Sequence, residues 1–246
     1  MATQFLIDGR QDAPVTILLA HGAGAPMDSS AMKAVTEALA DEGFRVARFE
    51  FAYMAARRES GSNRPPPKAE RLQEEYLKAI TDLDVKSLLV IGGKSMGGRV
   101  ASMVADQEFA GGRIAGLLCL GYPFHPPAKP DKLRTAHLSD LKTPTLICQG
   151  TRDPLGSEEE VKGYDLSDAI ELLWLPDGDH DLKRQQHAAL HGGQSLSQRQ
   201  AHRRAGWPTA LRWQSRLRNE RQGRIDLEPG ALDLASHGQG NLQRLT

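Results

Sequence analysis

The sequence predicts an α/β protein: a mostly parallel central sheet with helices on both faces. Short, largely apolar runs recur at Val15–Ala20, Leu88–Ile91, Gly116–Leu120, Thr145–Cys148 and Ile170–Leu175, as in strands covered on both sides. Between the earlier runs lie stretches where apolar residues return every three or four positions, the period of a helix with one inward face. At 246 residues, 39% hydrophobic and 25% charged, the chain suits one such domain with a sizeable core.

Val15–Ala20 reads as a strand leading into the loop His21-Gly22-Ala23-Gly24-Ala25-Pro26. A helix follows from about Ser30 to Glu42, with Met32, Val35 and Leu39 on one face and Gly43 as its stop. Arg45 to Phe51 alternates or runs apolar and reads as the second strand. Pro65-Pro66-Pro67 introduces a helix through Leu72, Tyr76, Leu77 and Ile80. Leu88–Ile91 is the next strand, and Met96, Val100, Met103 and Val104 mark the inward face of the helix beyond it. Three further strands follow, at Gly116–Leu120, Thr145–Cys148 and Ile170–Leu175. Between Tyr122 and Thr145 lie only about twenty residues, among them Pro123, Pro126, Pro127 and Pro130. That is too short for a large helical cap, so an open site is expected.

Active sites in sheets of this kind lie beyond the carboxyl ends of the strands, and that rule selects the polar residues to read. Gly93-Lys94-Ser95-Met96-Gly97 is a G-x-S-x-G pattern between a strand and a helix, where a serine on a strained turn projects its hydroxyl above the sheet. The helix start beyond it offers backbone N–H groups to a developing oxyanion. A phosphate loop ending at Lys94-Ser95 is excluded, since its first glycine would fall at position 88, which is Leu. A serine needs a base to take its proton, and the base needs a carboxylate to fix its tautomer. Asp153, in Gly150-Thr151-Arg152-Asp153-Pro154, and His180, in Asp177-Gly178-Asp179-His180-Asp181, each follow a strand and supply these in the order nucleophile, acid, histidine. Asp177, Asp179 and Asp181 lack the spacing of a calcium loop, with Ala188 where the bidentate Glu belongs, so no metal is expected. His21 is read as shaping its glycine loop rather than as a base.

The loops HGAGAP, GGKSMGGR, GTRDP and GDHD together resemble the α/β-hydrolase superfamily, over about residues 5 to 183. FEFAYM and GYPFHPPAKPDKLR are most similar to a group of small bacterial α/β-hydrolase-like proteins, akin to dienelactone hydrolase and related to a chromatin-complex subunit of animals. The resemblance implies a serine hydrolase of small esters or related acyl compounds, with Ser95 as nucleophile, Asp153 as acid and His180 as base. It also implies an oxyanion hole from the N–H groups of Met96 and Ala23, and no cofactor. Tyr53, Tyr122 and Phe124 follow strand ends and are expected beside the substrate. Arg57, Arg58 and Arg64 are expected on a solvated face, with an anionic substrate as the alternative. A non-catalytic interaction protein on the same scaffold is the rival class.

Nothing in the sequence suggests a membrane span: the longest apolar runs are four to six residues, and Met1 to Asp12 lacks the pattern of a signal peptide. A cytoplasmic location is expected. Cys119 and Cys148 sit inside apolar strand-like runs and read as buried thiols. A formal net charge of zero argues against a general nucleic-acid binder, and the oligomeric state stays open. Charge is nonetheless uneven. Residues 1–183 form the expected core, whereas residues 184–246 hold ten Arg against four acidic residues, formal +6, and no Val, Phe, Met, Tyr or Lys. This tail, with Trp207 and Trp213 and scattered leucines, is expected to be disordered or weakly helical. An Arg-rich arm for acidic surfaces is the functional alternative.

Overall fold

The computed structural model describes residues 2–61 and 65–183. Its strands are β1 (Phe5–Asp8), β2 (Val15–Ala20), β3 (Arg45–Phe49), β4 (Leu88–Lys94), β5 (Gly116–Leu120), β6 (Thr145–Gly150) and β7 (Ile170–Leu175). Its helices are α1 (Ser30–Asp41), α2 (Ala52–Ser60), α3 (Gln73–Leu83), α4 (Met96–Ala110) and α5 (Glu158–Val161), with one 3-10 turn at Ala69–Arg71. The strands form a single seven-stranded sheet ordered β1-β3-β2-β4-β5-β6-β7. All neighbours pair in parallel except β1, which runs antiparallel along β3. This is the α/β architecture expected from the alternating pattern.

The pleat sorts the apolar residues of each strand between two cores. From β2, Val15, Ile17 and Leu19 pack with Met32 and Leu39 of α1 on one face. Leu18 and Ala20 point to the other, against Tyr76 of α3 and Val100 and Val104 of α4. A strand apolar at nearly every position is therefore required in the middle of the sheet, and β2 is buried along its whole length. β7, at the sheet edge, is only partly buried at each of its positions.

Several boundaries differ from expectation. β3 stops at Phe49, not Phe51, because the Phe51 N–H leaves the ladder to bond His21 Nε2 (3.2 Å) and Phe51 then caps α2. β4 continues through Gly92 and Gly93 to Lys94, so Ser95 itself is the corner. The short elements β1, α2 and α5 were not expected. No helix or strand interrupts residues 121–144, so that segment supplies no helical cap, as anticipated. Among the described residues no helix is long and apolar enough to cross a membrane. The expected tail at 184–246 and the expectation for Arg64 lie outside the described residues.

Candidate active site

The corner between β4 and α4 places Ser95 at φ 52° and ψ −116°. A non-glycine residue in that region costs on the order of 1–3 kcal/mol and persists only where its surroundings enforce it. Here the Ser95 N–H donates to the Leu120 carbonyl of β5 at 2.9 Å, and the Ser95 carbonyl accepts from Arg99 N–H at 3.0 Å. Glycines on either side make the corner possible. A Cβ on Gly97 would lie 2.5 Å from the Ala20 oxygen and 2.6 Å from that of His21, closer than real Cβ atoms come.

Three loops beyond strand ends bring Ser95, His180 and Asp153 together. His180 Nε2 lies 2.8 Å from Ser95 Oγ, and its Nδ1 lies 2.8 Å from Asp153 Oδ2. Because a carboxylate only accepts, Nδ1 carries the proton and Nε2 is free to accept from the serine hydroxyl. Asp153 has no exposed surface. Its oxygens accept from Leu155 N–H (2.8 Å) and Gln149 Nε2 (2.9 Å) as well as from His180. Gln149, at the end of β6, also reaches the carbonyls of Tyr122 and Gly156 and accepts from Tyr122 N–H, so it ties the acid loop to the loop after β5.

Lys94 holds the histidine loop from below. Its Nζ donates to the His180 carbonyl at 2.7 Å and lies 3.6 Å from Asp181 Oδ1. Burial pushes its pKa down, with Asp181 and Asp153 opposing. Neither Lys94 nor Gln149 was singled out from the sequence. The signal for Gln149 was present: a polar side chain closing the apolar run of β6 must find partners if it is buried.

Met96 opens α4, so its N–H has no acceptor within the helix, and the loop after β2 brings Ala23 to the same cleft. That loop is set by His21, which is fully buried. Its Nε2 accepts from Phe51 N–H, so Nδ1 is the donor to the Gly22 carbonyl at 2.7 Å. In a trans peptide the C=O and N–H point in opposite directions, so fixing the Gly22 oxygen also fixes the direction of the Ala23 N–H. Desolvation pushes the His21 pKa down, which keeps the ring neutral in this role.

The expected substrate-facing aromatics are elsewhere. Tyr122 and Phe124 have no exposed surface and pack in the core, with the Phe124 ring tilted against those of Tyr122 and Tyr164 and the Tyr122 hydroxyl donating to the Arg134 carbonyl. They are correctly placed after β5, but the chain turns them inward under the 121–144 segment. Tyr53 bonds the Ala23 carbonyl through its hydroxyl (3.2 Å) and supports the loop instead of lining the cleft; burial pushes its pKa up to about 12. Arg57 lies over the Tyr53 ring and donates to the same carbonyl, while Arg58 pairs with Asp28 and Glu50. The cleft over Ser95 has a volume of about 620 Å³, and its apolar wall is formed by Met96, Pro67, Pro123, Pro127 and Leu155.

A family model described as an alpha/beta hydrolase domain matches residues 13–207. The chain belongs to the α/β-hydrolase family. Among solved structures, this α/β-hydrolase is similar to dienelactone hydrolase from Anabaena variabilis, with a TM-score of 0.60, 17% identity, and coverage of 87% of this chain and 91% of that one. It is also similar to an alpha/beta serine hydrolase without lid from Xanthomonas campestris (TM-score 0.54, 19% identity, 73% and 81% covered). These similarities show a shared fold. In sequence it is 27% identical over 143 residues to ABHD14B of Rattus norvegicus, whose name proposes a protein-lysine deacylase. The match covers 58% of this chain and 63% of that relative's length.

Proposed function

We propose that the chain is a serine hydrolase that cleaves small esters or related acyl compounds through an acyl-enzyme on Ser95. The carrying observation is the unbroken relay from Asp153 to His180 to Ser95, with both contacts at 2.8 Å. Ser95 Oγ attacks the acyl carbon while His180 Nε2 takes the hydroxyl proton, and buried Asp153 stabilises the imidazolium without accepting its proton. Charge on the carbonyl oxygen is met by the N–H groups of Met96 and Ala23. The tetrahedral intermediate collapses, His180 returns the proton to the leaving alcohol, and the acyl group stays on Ser95. Water then enters, His180 takes one of its protons, and a second collapse frees the acid and restores the serine.

A fluorophosphonate probe reports an activated serine without knowledge of the substrate. Wild-type protein should be labelled and should hydrolyse 4-nitrophenyl butyrate, and Ser95→Ala should lose both while keeping its fold, since the hydroxyl fills no core. An Nε-acyl-lysine peptide joins the panel because of the rat relative's name. Labelling that survives in Ser95→Ala would remove the proposal. Absence of both labelling and turnover in folded wild type would favour a non-catalytic interaction protein.

A further inference from the structure

Three cations and one carboxylate line the cleft beside Ser95: Lys68, Arg99 and Arg134 against Glu70. Glu70 is spent on Arg99, its Oε1 accepting from Nη2 at 2.7 Å. The Arg99 side chain is only 17% exposed, and its Nε is buried with no hydrogen-bond partner. Arg134 pairs with no carboxylate among the described residues, while its backbone is held on both sides: the N–H donates to the Phe124 carbonyl at 2.7 Å and the carbonyl accepts the Tyr122 hydroxyl. A fixed stretch of chain thus presents to the cleft a guanidinium that has no ion pair of its own among the described residues, although the charge of Glu70 is felt there. The two arginines also repel. Desolvation, followed by the charge of Arg99, lowers the Arg134 pKa.

An anion beside the Arg134 guanidinium would occupy its donors and offset the repulsion from Arg99, and a guanidinium fits the planar fork of a carboxylate. The position of Arg99 sets the spacing. It lies one helical turn beyond Ser95, about 5.4 Å along the axis, and helical side chains lean back towards the N-terminus. We propose that Arg99 and Arg134 form a carboxylate-binding subsite, so that the preferred substrate is an ester carrying a carboxylate a few bonds from its scissile carbonyl. The inference rests on the reading of Ser95 as nucleophile. It moves the anionic-substrate alternative from Arg57 and Arg58, which are engaged elsewhere, to residues the sequence did not single out.

Two substrate pairs separate the acyl side from the alcohol side: mono-4-nitrophenyl glutarate against 4-nitrophenyl pentanoate, and 3-acetoxybenzoate against phenyl acetate. In one pair kcat/KM should favour the anionic member, and Arg134→Gln should cut that preference about tenfold or more, as expected for loss of a charge-assisted hydrogen bond. Arg134→Lys should keep part of it. Binding is read independently of turnover by ligand-observed NMR on Ser95→Ala protein, with monomethyl glutarate against methyl pentanoate. The glutarate should bind at least tenfold tighter, and the difference should shrink when Arg134→Gln is added. Hydrolysis without charge preference, or equal binding of the two methyl esters, overturns the subsite. Selective binding of the glutarate, when wild-type protein neither takes up the fluorophosphonate nor hydrolyses any of the esters, overturns the serine mechanism and leaves the subsite standing.

Discussion

Lys94 fills the variable place of G-x-S-x-G, and its contact explains what a pattern of glycines and serine does not reveal. The ammonium donates to the carbonyl of His180, so one residue of the elbow orients the loop that carries the base. Lys94→Met keeps the length of the stem and removes that donor. The expected outcome is a melting temperature within a few degrees of wild type with fluorophosphonate labelling slowed about tenfold or more, the scale of one charge-assisted hydrogen bond. Labelling at the wild-type rate would show that the His180 loop holds itself. Ser95, Asp153 and His180 should behave as one unit. Asp153→Asn and His180→Ala each should lower turnover by several orders of magnitude, and the double variant should lose little more than the worse single one. These three were legible in the sequence because each lies just past the end of a strand, where the topology brings such positions together. Tyr122 and Phe124 share that position yet lie buried in the core, because a place in the chain does not say whether a ring turns towards the cleft or inward.

At the scale of elements, β2 and β5 match the expected bounds because central strands demand continuous apolar runs, and β7 matches although it is an edge strand, since its run is still largely apolar. β1 escaped notice: four residues on an antiparallel edge, with only partial burial, leave little pattern to find. α2 was hidden for another reason. Phe51 is wholly buried, so it read as strand, although Ala52 to Ser60 carries the Ala, Arg and Glu residues of an ordinary helix. The junction of β2, β4 and α4 is a tight part of the architecture, because α4 approaches the end of β2 with no side chain between them at Gly97. Gly97→Ala introduces a Cβ that meets two backbone carbonyls. Helix propensity alone would favour the alanine by about 1 kcal/mol, so a net loss measures the clash. The expected outcome in urea unfolding is a net destabilisation of about 1–3 kcal/mol, with hydrolysis lost because the N-terminus of α4 moves off the cleft. A variant as stable as wild type would mean that the helix can shift freely, against the close contact described.

For the molecule as a whole, the two cores flank one sheet and, among the described residues, the site opens at its carboxyl edge without a cap, so protonation of buried groups is felt in stability and, near that edge, in the site. Two histidines have pKa values pushed down from 6.5, His21 in the loop after β2 and His137 against Ser102 of α4, in each case chiefly by desolvation. Around His21 the Gly22 carbonyl and Glu50 oppose the shift while Arg57 and Arg58 add to it; around His137, Arg99 adds and Asp106 opposes. For a base whose folded pKa is lowered, both states are neutral above the unfolded value, and no stability depends on it there. As pH falls through 6.5 the unfolded chain takes up protons that the folded one refuses, so unfolding becomes more favourable. His21 contributes at most about 1.4 kcal/mol per pH unit below that point. His137 contributes less, since it is only partly buried and water screens its charge. Urea unfolding should therefore show stability falling from pH 7 to pH 5.5, and His137→Gln should reduce the slope without abolishing it. Stability that holds level or rises over that interval would show that neither ring stays neutral in the folded protein. It would also contradict the Nδ1 donor assigned to His21, because a second proton on Nε2 would face the N–H of Phe51.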